Sequence, residues 1–363
     1  MEFALSHEQT LLGESVRSFL RDHCPIEAVR AQAATGTGCE EGLWRGLLDL
    51  GVQGLLVPER HGGTGLGLLE AAVVAQALGG AAAPVPFLCS VAMAPLALLR
   101  SGSAAQQDRW LPRIAGGEAR IAMGFVGYVG GRGGAALSLD RDRLSGAAEA
   151  VLDAGAPTHF LVYLPDGRAA ILGAGDAGVS VALRRTLDGT RPLAEVAFDG
   201  VEAEVLEAAA DPRAAALQVL DAGRVVLAAD TLGAAQAMLD RAVAWAKQRV
   251  QFGRVIGSFQ GVKHMCADMA TMLEPCHAFV WHAAYAQDTR SAEARLMACH
   301  AKAHLDEVGR EVARMATEVH GGMGFTDLSG LHYWLKRIGF NRQVLGGPER
   351  CREEAAALQG WTA

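Results

Sequence analysis

Residues 249–260 of the chain read Arg-Val-Gln-Phe-Gly-Arg-Val-Ile-Gly-Ser-Phe-Gln, and residues 320–326 read His-Gly-Gly-Met-Gly-Phe-Thr. In the first segment, Arg249 carries a planar fork of N–H donors that suits a phosphate group. In the second, Gly321 and Gly322 let a phosphate approach the main chain because no Cβ stands in the way. Together the two segments predict a site for the pyrophosphate of a dinucleotide.

Each segment also has a plainer interpretation when it is taken alone. The first is then a turn between two helices, with a surface arginine at 249 and a core phenylalanine at 252. The second is then an ordinary glycine turn. The presence of both segments in one chain favours the phosphate site.

Length and composition predict a globular protein of two or three domains. The chain has 363 residues, of which 50% are hydrophobic and 20% are charged, with a net charge of −7. The negative charge argues against a general nucleic-acid binder. The first residues include acids and form no basic or apolar leader, which predicts a cytoplasmic protein. The apolar run 62–94 is interrupted by Glu70 and Gln76, so we expect buried helices there and no membrane span.

Cysteines and histidines do not indicate a metal site. The seven cysteines are scattered and contain no Cys-x-x-Cys pair, which predicts free thiols in a reducing compartment. His300 and His304 share a helical face, but no third ligand accompanies them. We therefore expect no bound metal.

The pattern of apolar residues and turns changes twice along the sequence, which predicts three domains. Residues 1–118 have a helical pattern, with Ser6 as a candidate helix cap. Residues 119–205 contain short strand-like runs between glycine turns. Residues 206–363 return to long helical stretches, which fits an antiparallel helix bundle. The strand-like runs lie at 160–163, 169–172 and 179–181.

This order of helices, strands and helices resembles the acyl-CoA dehydrogenase family over essentially the whole chain. The resemblance implies an α+β fold with an N-terminal helical domain (1–118), a middle small β domain (119–205) and a C-terminal antiparallel four-helix bundle (206–363). Besides the two phosphate-site segments, the motifs that carry it are Val57–Gly65, Trp110–Pro112, Gly116–Glu118, Leu187–Arg191 and Phe198–Val201.

The resemblance also implies a function. Members of this family are flavoprotein oxidoreductases of lipid metabolism that remove hydrogen from the α and β carbons of an acyl-CoA thioester, with FAD as the hydride acceptor. It implies an oligomer, either of identical chains or a heterotetramer with a homologous subunit, and an electron-transfer flavoprotein as the electron acceptor. Glu318 stands where relatives often carry Gln. By matching positions, the residues expected to contact the flavin of the neighbouring subunit, called here the flavin clamp, are Arg249, Phe252, Gln260, Glu318, Gly321 and Gly322.

One expected residue is missing. In relatives a glutamate removes the α-proton, either from the loop after the glycine segment or from the first helix of the bundle. The first position falls at Leu345 or Gly346 here, and the second falls at Gly223. Two stretches of the β domain depart from the family pattern as well: 124–131 lacks Thr-Glu-Pro-Gly, and 149–153 lacks Trp-x-Thr.

Several interpretations follow from the missing glutamate. The chain resembles the degenerate subunit of a two-gene, heteromeric acyl-CoA dehydrogenase, in which the clamp serves a neighbour's flavin. In this interpretation the chain takes part in acyl-CoA dehydrogenation as one member of a catalytic pair. One alternative is a non-catalytic assembly subunit that completes a partner's FAD site. Another is a flavoprotein with altered acyl-CoA elimination chemistry. Asp230, two helical turns beyond Gly223, is a candidate substitute base, and its alternative is a solvent-facing or interhelical polar residue. The apolar runs 225–239 and 294–304 predict a large subunit interface.

Overall fold

The first helix begins at a capping box, where the sequence predicts it. The computed structural model describes residues 4–125 and 137–361. Ser6 Oγ accepts a hydrogen bond from the Gln9 backbone N–H at 3.2 Å, and Gln9 Oε1 accepts one from the Ser6 N–H at 2.8 Å. The N-terminal helices are α1 (His7–His23), α2 (Ile26–Thr35), α3 (Glu41–Asp49), α4 (Leu68–Gly80), α5 (Ala94–Ser101) and α6 (Ala104–Ala115).

A mixed sheet follows these helices. Its strands are β1 (Ile121–Gly124), β2 (Ser138–Asp140), β3 (Arg143–Leu152), β4 (His159–Tyr163), β5 (Ala169–Gly173), β6 (Val179–Arg184), β7 (Leu193–Glu202) and β8 (Glu204–Leu206). Their order is β6-β7-β3-β1-β4-β5-β8, with β2 beside β3. The pair β1 and β4 is parallel and the other pairs are antiparallel. The strands predicted at 160–163, 169–172 and 179–181 lie within β4, β5 and β6, so these three predictions are confirmed.

Long helices form the C-terminal part, as predicted. They are α7 (Pro212–Gln248), α8 (Gln260–Asp288), α9 (Ala294–His320), α10 (His332–Gln343) and α11 (Pro348–Leu358), and the short strands β9 (Val250–Gln251) and β10 (Arg254–Val255) separate α7 from α8. Helix α9 packs against α8, α10 and α11. A Cβ on Gly309 of α9 would lie 2.6 Å from Thr231 of α7, so these two helices also pack closely. The succession of helices, sheet and helix bundle confirms the predicted fold class.

Spatial packing divides the chain into two compact units. A helical unit contains Met1–Arg30, Ala72–Ala83 and Leu227–Ala363, and a mixed unit contains Ala31–Ala71 and Pro84–Val226. The proposed domain boundaries after 118 and 205 divide the chain along the sequence instead, and they stay a prediction. The core of the sheet includes Leu144, Val151, Phe160, Val162, Val196 and Phe198, all buried.

The apolar stretch 62–94 folds into buried helices. Every residue of the π-helical turn Leu88–Met93, which leads into α5, is buried. Across the residues that the structure describes, no helix combines the length and the apolarity that a membrane span needs.

Backbone contact between α4 and α7 organises the helical unit. A Cβ on Gly79 would lie 2.0 Å from the carbonyl oxygen of Asp230, and a Cβ on Gly233 would lie 1.8 Å from that of Gln76. Neither distance leaves room for a side chain. Glycine at both positions therefore allows the two helices to touch through their main chains.

A buried ion pair lies within α9. Lys302 and Asp306 are separated by one helical turn, their side chains are 0% exposed, and they pair directly. Burial raises the pKa of Asp306 to about 7, against the opposing attraction of Lys302. Because removing two charges from water costs several kcal/mol per ion, such a pair adds little stability compared with apolar packing, but losing one member is costly.

We expect Asp306→Asn to lower the free energy of unfolding by about 3–5 kcal/mol, because it removes the carboxylate that pairs with Lys302. The double substitution Lys302→Met with Asp306→Leu is the matched control, and it should be neutral or stabilising. Urea unfolding at neutral pH measures both. A double variant as unstable as the single one would contradict this account of the pair.

Candidate functional site

The arginine segment of the flavin clamp forms a hairpin at the end of α7. Arg249 follows the last residue of α7 and is exposed. Phe252 and Gly253 turn the chain with φ angles of +53° and +76°. The Ile256 N–H donates to the Arg249 carbonyl oxygen at 2.8 Å, which closes the hairpin. Phe252 is 93% exposed, which argues against the alternative interpretation of this residue as a core phenylalanine.

A stack of side chains joins the two segments of the clamp. The guanidinium carbon of Arg249 lies 5.8 Å from the centre of the Trp245 ring. The Trp245 ring stacks on His320 with centroids 5.6 Å apart and planes 17° apart, and His320 precedes Gly321. His320 is further held by a contact of 2.7 Å between its Nδ1 and the Ala316 carbonyl oxygen. Sequence analysis missed Trp245, although its place one helical turn before Arg249 is a usable signal.

The glycine segment presents bare main chain to open space. Gly321 has φ +61° and ψ −142°, a conformation that is essentially restricted to glycine. A Cβ on Gly321 or Gly322 would meet nothing within 4 Å, and both residues are exposed. In contrast, Gly324 packs inward, since a Cβ there would lie 2.7 Å from the Thr317 carbonyl oxygen. The segment is thus anchored on one side and accessible on the other.

These features fit the pyrophosphate of a dinucleotide. Within the described parts of the chain, Arg249 forms no ion pair with a carboxylate, so its donors remain available. The main chain at Gly321 and Gly322 is open to an incoming group. A cation, an exposed aromatic ring and accessible backbone are the components that bind such a cofactor.

Glu318 has a cationic partner that moderates its charge. Arg314 pairs with Glu318 through one guanidinium nitrogen and with Glu311 through another, the Nε–Oε2 distance to Glu311 being 3.1 Å. A bare carboxylate beside a phosphate is unfavourable, but a paired one is less so. The carboxylate at Glu318 is therefore compatible with a phosphate nearby.

Gln260 begins α8 and is exposed, as predicted for a residue near the start of the next helix. The preceding Phe259 lies under the guanidinium of Arg254 at 3.9 Å and meets the Phe252 ring edge-on, with centroids 6.2 Å apart. These contacts brace the hairpin against the start of α8. Within the described ranges 4–125 and 137–361, no contact joins Gln260 to the rest of the clamp, so its place in the site stays a prediction.

Exposed apolar side chains surround the clamp. Of the two predicted interface runs, 225–239 is almost entirely buried within the chain itself, whereas only five of the eleven residues of 294–304 are buried. Burial leaves little of the first run for a partner, and an interface at the second run stays a prediction. The exposed apolar residues of the hairpin and the glycine segment are Val250, Phe252, Val255, Phe325 and Leu328. An apolar cluster of this kind is typical of an interaction surface.

The positions predicted to match the family's glutamate, Leu345 or Gly346 and Gly223, carry no carboxylate. Leu345 is buried and Gly346 follows it, with φ angles of +56° and +92°, in the loop between α10 and α11. Gly223 lies inside α7, between Asp221 and Arg224. Those two neighbours are buried and form an ion pair at 3.1 Å. The nearest acid along the chain to Gly223 is therefore already paired.

Asp230 lies in a buried network between α7 and α10. Its Oδ2 is 3.3 Å from Arg337 Nη1, and its Oδ1 accepts a hydrogen bond of 2.7 Å from Asn341 Nδ2. Asn341 Nδ2 also donates to Thr231 Oγ1 at 3.1 Å. Arg337 Nη2 donates to the carbonyl oxygens of Ala82 and Ala83, at 3.1 Å each. This geometry favours the interhelical partner over the substitute base.

Two stretches of the β domain differ from the family pattern, and one of them lies largely outside the described residues. The stretch 124–131 is described only at Gly124 and Phe125. In the stretch 149–153, Asp153 accepts a hydrogen bond from the Cys89 N–H at 3.0 Å and lies 3.9 Å from Arg191. Its carboxylate thus supports the fold of the mixed unit. Among the described residues, no group of three or more potential ligands is arranged to hold a metal.

Comparison with known proteins identifies the family of this chain. The profile for the acyl-CoA dehydrogenase N-terminal domain matches residues 6–118, and that for the C-terminal domain matches residues 213–357. The chain is 34% identical over 344 residues to the acyl-CoA dehydrogenase IpdE2 of Mycobacterium tuberculosis, with 94% of each protein covered.

Two solved structures share the fold over nearly their whole length. One is a variant of the Tcur3481-Tcur3483 steroid ACAD, with a TM-score of 0.87 and 30% identity, covering 97% of this chain and 98% of that one. The other is the ChsE4-ChsE5 complex from Mycobacterium tuberculosis, with a TM-score of 0.89 and 26% identity, covering 100% of both chains. This chain belongs to the acyl-CoA dehydrogenase family of flavoprotein oxidoreductases, which act on CH–CH groups.

Proposed function

We propose that this chain is a subunit of a heteromeric acyl-CoA dehydrogenase, in which it completes the FAD site of a homologous partner without supplying the catalytic base. The main support is one combination: an outward-facing flavin clamp together with Leu345, Gly346 and Gly223 at the positions that match the family's glutamate. The similarity to the ChsE4-ChsE5 and Tcur3481-Tcur3483 proteins supports a pair of unlike chains.

The flavin clamp is suited to the phosphate side of the cofactor. Members of the family normally bind FAD, which accepts a hydride from the acyl chain. In this chain Arg249 would donate to the pyrophosphate, and Gly321 and Gly322 would admit it to the main chain. Phe252 offers an exposed ring for stacking. Trp245 positions Arg249 and His320 through the stack.

Proton removal is assigned to the partner. Abstraction of an α-proton requires a carboxylate that can approach the substrate and change its protonation state. Asp230 is 1% exposed, and both of its oxygens already contact Arg337 or Asn341. We infer that the heteromer oxidises an acyl-CoA with a bulky acyl group, as the steroid ACAD similarity suggests, and passes electrons to an electron-transfer flavoprotein.

The assembly itself tests the proposal. The chain purified alone should contain little FAD and should not oxidise acyl-CoA, because it lacks both a base and a partner's flavin site. Co-purified with a homologous subunit that carries the glutamate, it should yield a yellow, active complex. Flavin absorbance, protein stoichiometry and acyl-CoA oxidation measure this outcome. A single chain that is saturated with FAD and fully active would disprove the proposal.

Arg249→Ala should weaken FAD retention by the complex by about tenfold or more, because it removes a charge-assisted donor worth about 1.5–3 kcal/mol. The unfolding of the chain should change little, since Arg249 is exposed. Arg352→Ala is the matched control, since Arg352 is also an exposed arginine but lies on α11. Equal flavin loss from both variants after dialysis would count against the clamp.

Trp245→Leu should weaken FAD retention in the same direction as Arg249→Ala, because the stack that holds Arg249 and His320 is lost. Trp361, which is 74% exposed near the end of the chain, provides the control Trp361→Leu. Flavin fluorescence during dilution measures both. If Trp245→Leu did not change FAD retention, the inference that Trp245 positions Arg249 would be contradicted.

Asp230→Asn separates the structural role from the catalytic one. Asp230 pairs with the buried Arg337. The substitution removes the charge of Asp230, so it should lower the free energy of unfolding by up to about 3–5 kcal/mol. Turnover per bound flavin in the folded complex should stay nearly constant. If Asp230 were the base, turnover would instead fall by about 10²–10⁴-fold. Urea unfolding and steady-state kinetics on the same preparation distinguish the two.

A further inference from the structure

A cavity lies in the helical unit, and its lining includes no residue of the flavin clamp. It has a volume of about 440 Å³ and lies between the C-terminal halves of α1 and α4, the middle of α7 and the start of α10. That volume is within the range of small-ligand sites, about 300–1,000 Å³.

Backbone packing and a fixed aromatic ring shape this groove. Where α4 and α7 touch, a Cβ on Gly233 would lie 2.9 Å from the Gly80 nitrogen. Trp334 Nε1 donates to the Gly80 carbonyl oxygen at 2.8 Å, and the ring of Trp334 is only 3% exposed. Beside this contact the groove is lined by small residues, Ala77 and Ala237, which leave the space open. The walls are therefore preformed.

Three arginines line the groove without carboxylate partners. Within the residues that the structure describes, none of Arg17, Arg21 and Arg241 forms an ion pair; Arg21 donates only to Ser18 Oγ, at 3.0 Å. The one acid of the lining, Asp240, accepts a hydrogen bond from Gln236 at 2.9 Å. The lining thus has three cations and one anion, in a chain whose net charge is −7.

Other arginines of the helical unit do have carboxylate partners. Arg310, Arg314 and Arg342 each pair with one or two glutamates. Arg241 is instead held with its guanidinium carbon 4.0 Å from the centre of the Trp334 ring. Partial burial lowers its pKa from the usual value, which reflects the cost of placing this charge where no counter-ion offsets it. An anionic ligand would supply that counter-ion.

We propose that this groove binds a small ligand carrying a phosphate or diphosphate group, with Arg17, Arg21 and Arg241 as its donors. Guanidinium forks match phosphate oxygens in geometry and charge. Gln76 and Gln236 add uncharged donors and acceptors to the lining. The site is separate from the flavin clamp, and it does not depend on whether the chain is a catalytic or a partner subunit.

Calorimetric titration of the purified protein, or of its complex, with inorganic pyrophosphate and with ADP tests the proposal. We expect saturable binding of one ligand per chain at low ionic strength. Arg17→Gln and Arg241→Gln should each weaken it about tenfold. Asp240→Asn should tighten it, because the one negative charge of the lining is removed. Tighter binding of ADP than of pyrophosphate would identify a nucleotide, and equal binding would identify the phosphate group alone; both support the site.

Arg352→Gln is the matched control, and it should bind pyrophosphate in the groove as the unaltered chain does. Circular dichroism melting of every variant verifies folding, and Arg241→Lys should recover part of the affinity if Arg241→Gln is unstable. The proposal is overturned if neither probe binds up to millimolar concentration. It is equally overturned if the groove variants and the control variant lose affinity alike.

Discussion

Where α4 and α7 touch, the two helices meet through their main chains, and much of the helical unit is arranged around that contact. Gly79 and Gly233 permit it, since a Cβ on either would overlap the facing carbonyl oxygen. The same approach places Asp230 next to the end of α4, where Arg337 joins its carboxylate to the carbonyl oxygens of Ala82 and Ala83. A buried arginine with these partners is costly to leave incomplete. The contact therefore determines how α4, α7 and α10 lie together.

Helix α7 carries residues with three different tasks along one axis. Towards its start, Gly223 stands where the sequence predicts a family glutamate, and it has no carboxylate. Further along, Asp230 serves packing through its contacts with α10. At its end, Trp245 and Arg249 support the flavin clamp. A helix with no acid at 223 and with Arg249 exposed at its end is consistent with the proposed partner subunit.

Local signals predicted the elements of the fold and the outline of the site. The capping residues Ser6 and Gln9, and the apolar runs of β4 and β5, depend on neighbours in the chain, so they can be read directly. The turn at Gly253 is of the same kind. Trp245 was missed because its place one helical turn before Arg249, taken alone, fits a core residue of a long helix as well. Its task depends on His320, seventy-five positions further along, and only packing of α7 against α9 joins them.

By itself, the sequence determined the order of helices and strands, the family, and the absence of a carboxylate at 223, 345 and 346, because these depend on residue identity and local periodicity. Only the tertiary structure decided that the apolar run 225–239 of α7 is interior, that Phe252 is exposed, and that Asp230 is paired. Burial and charge pairing are set by partners brought from distant segments. A sequence pattern that is periodic and apolar cannot reveal which of its faces another helix will cover.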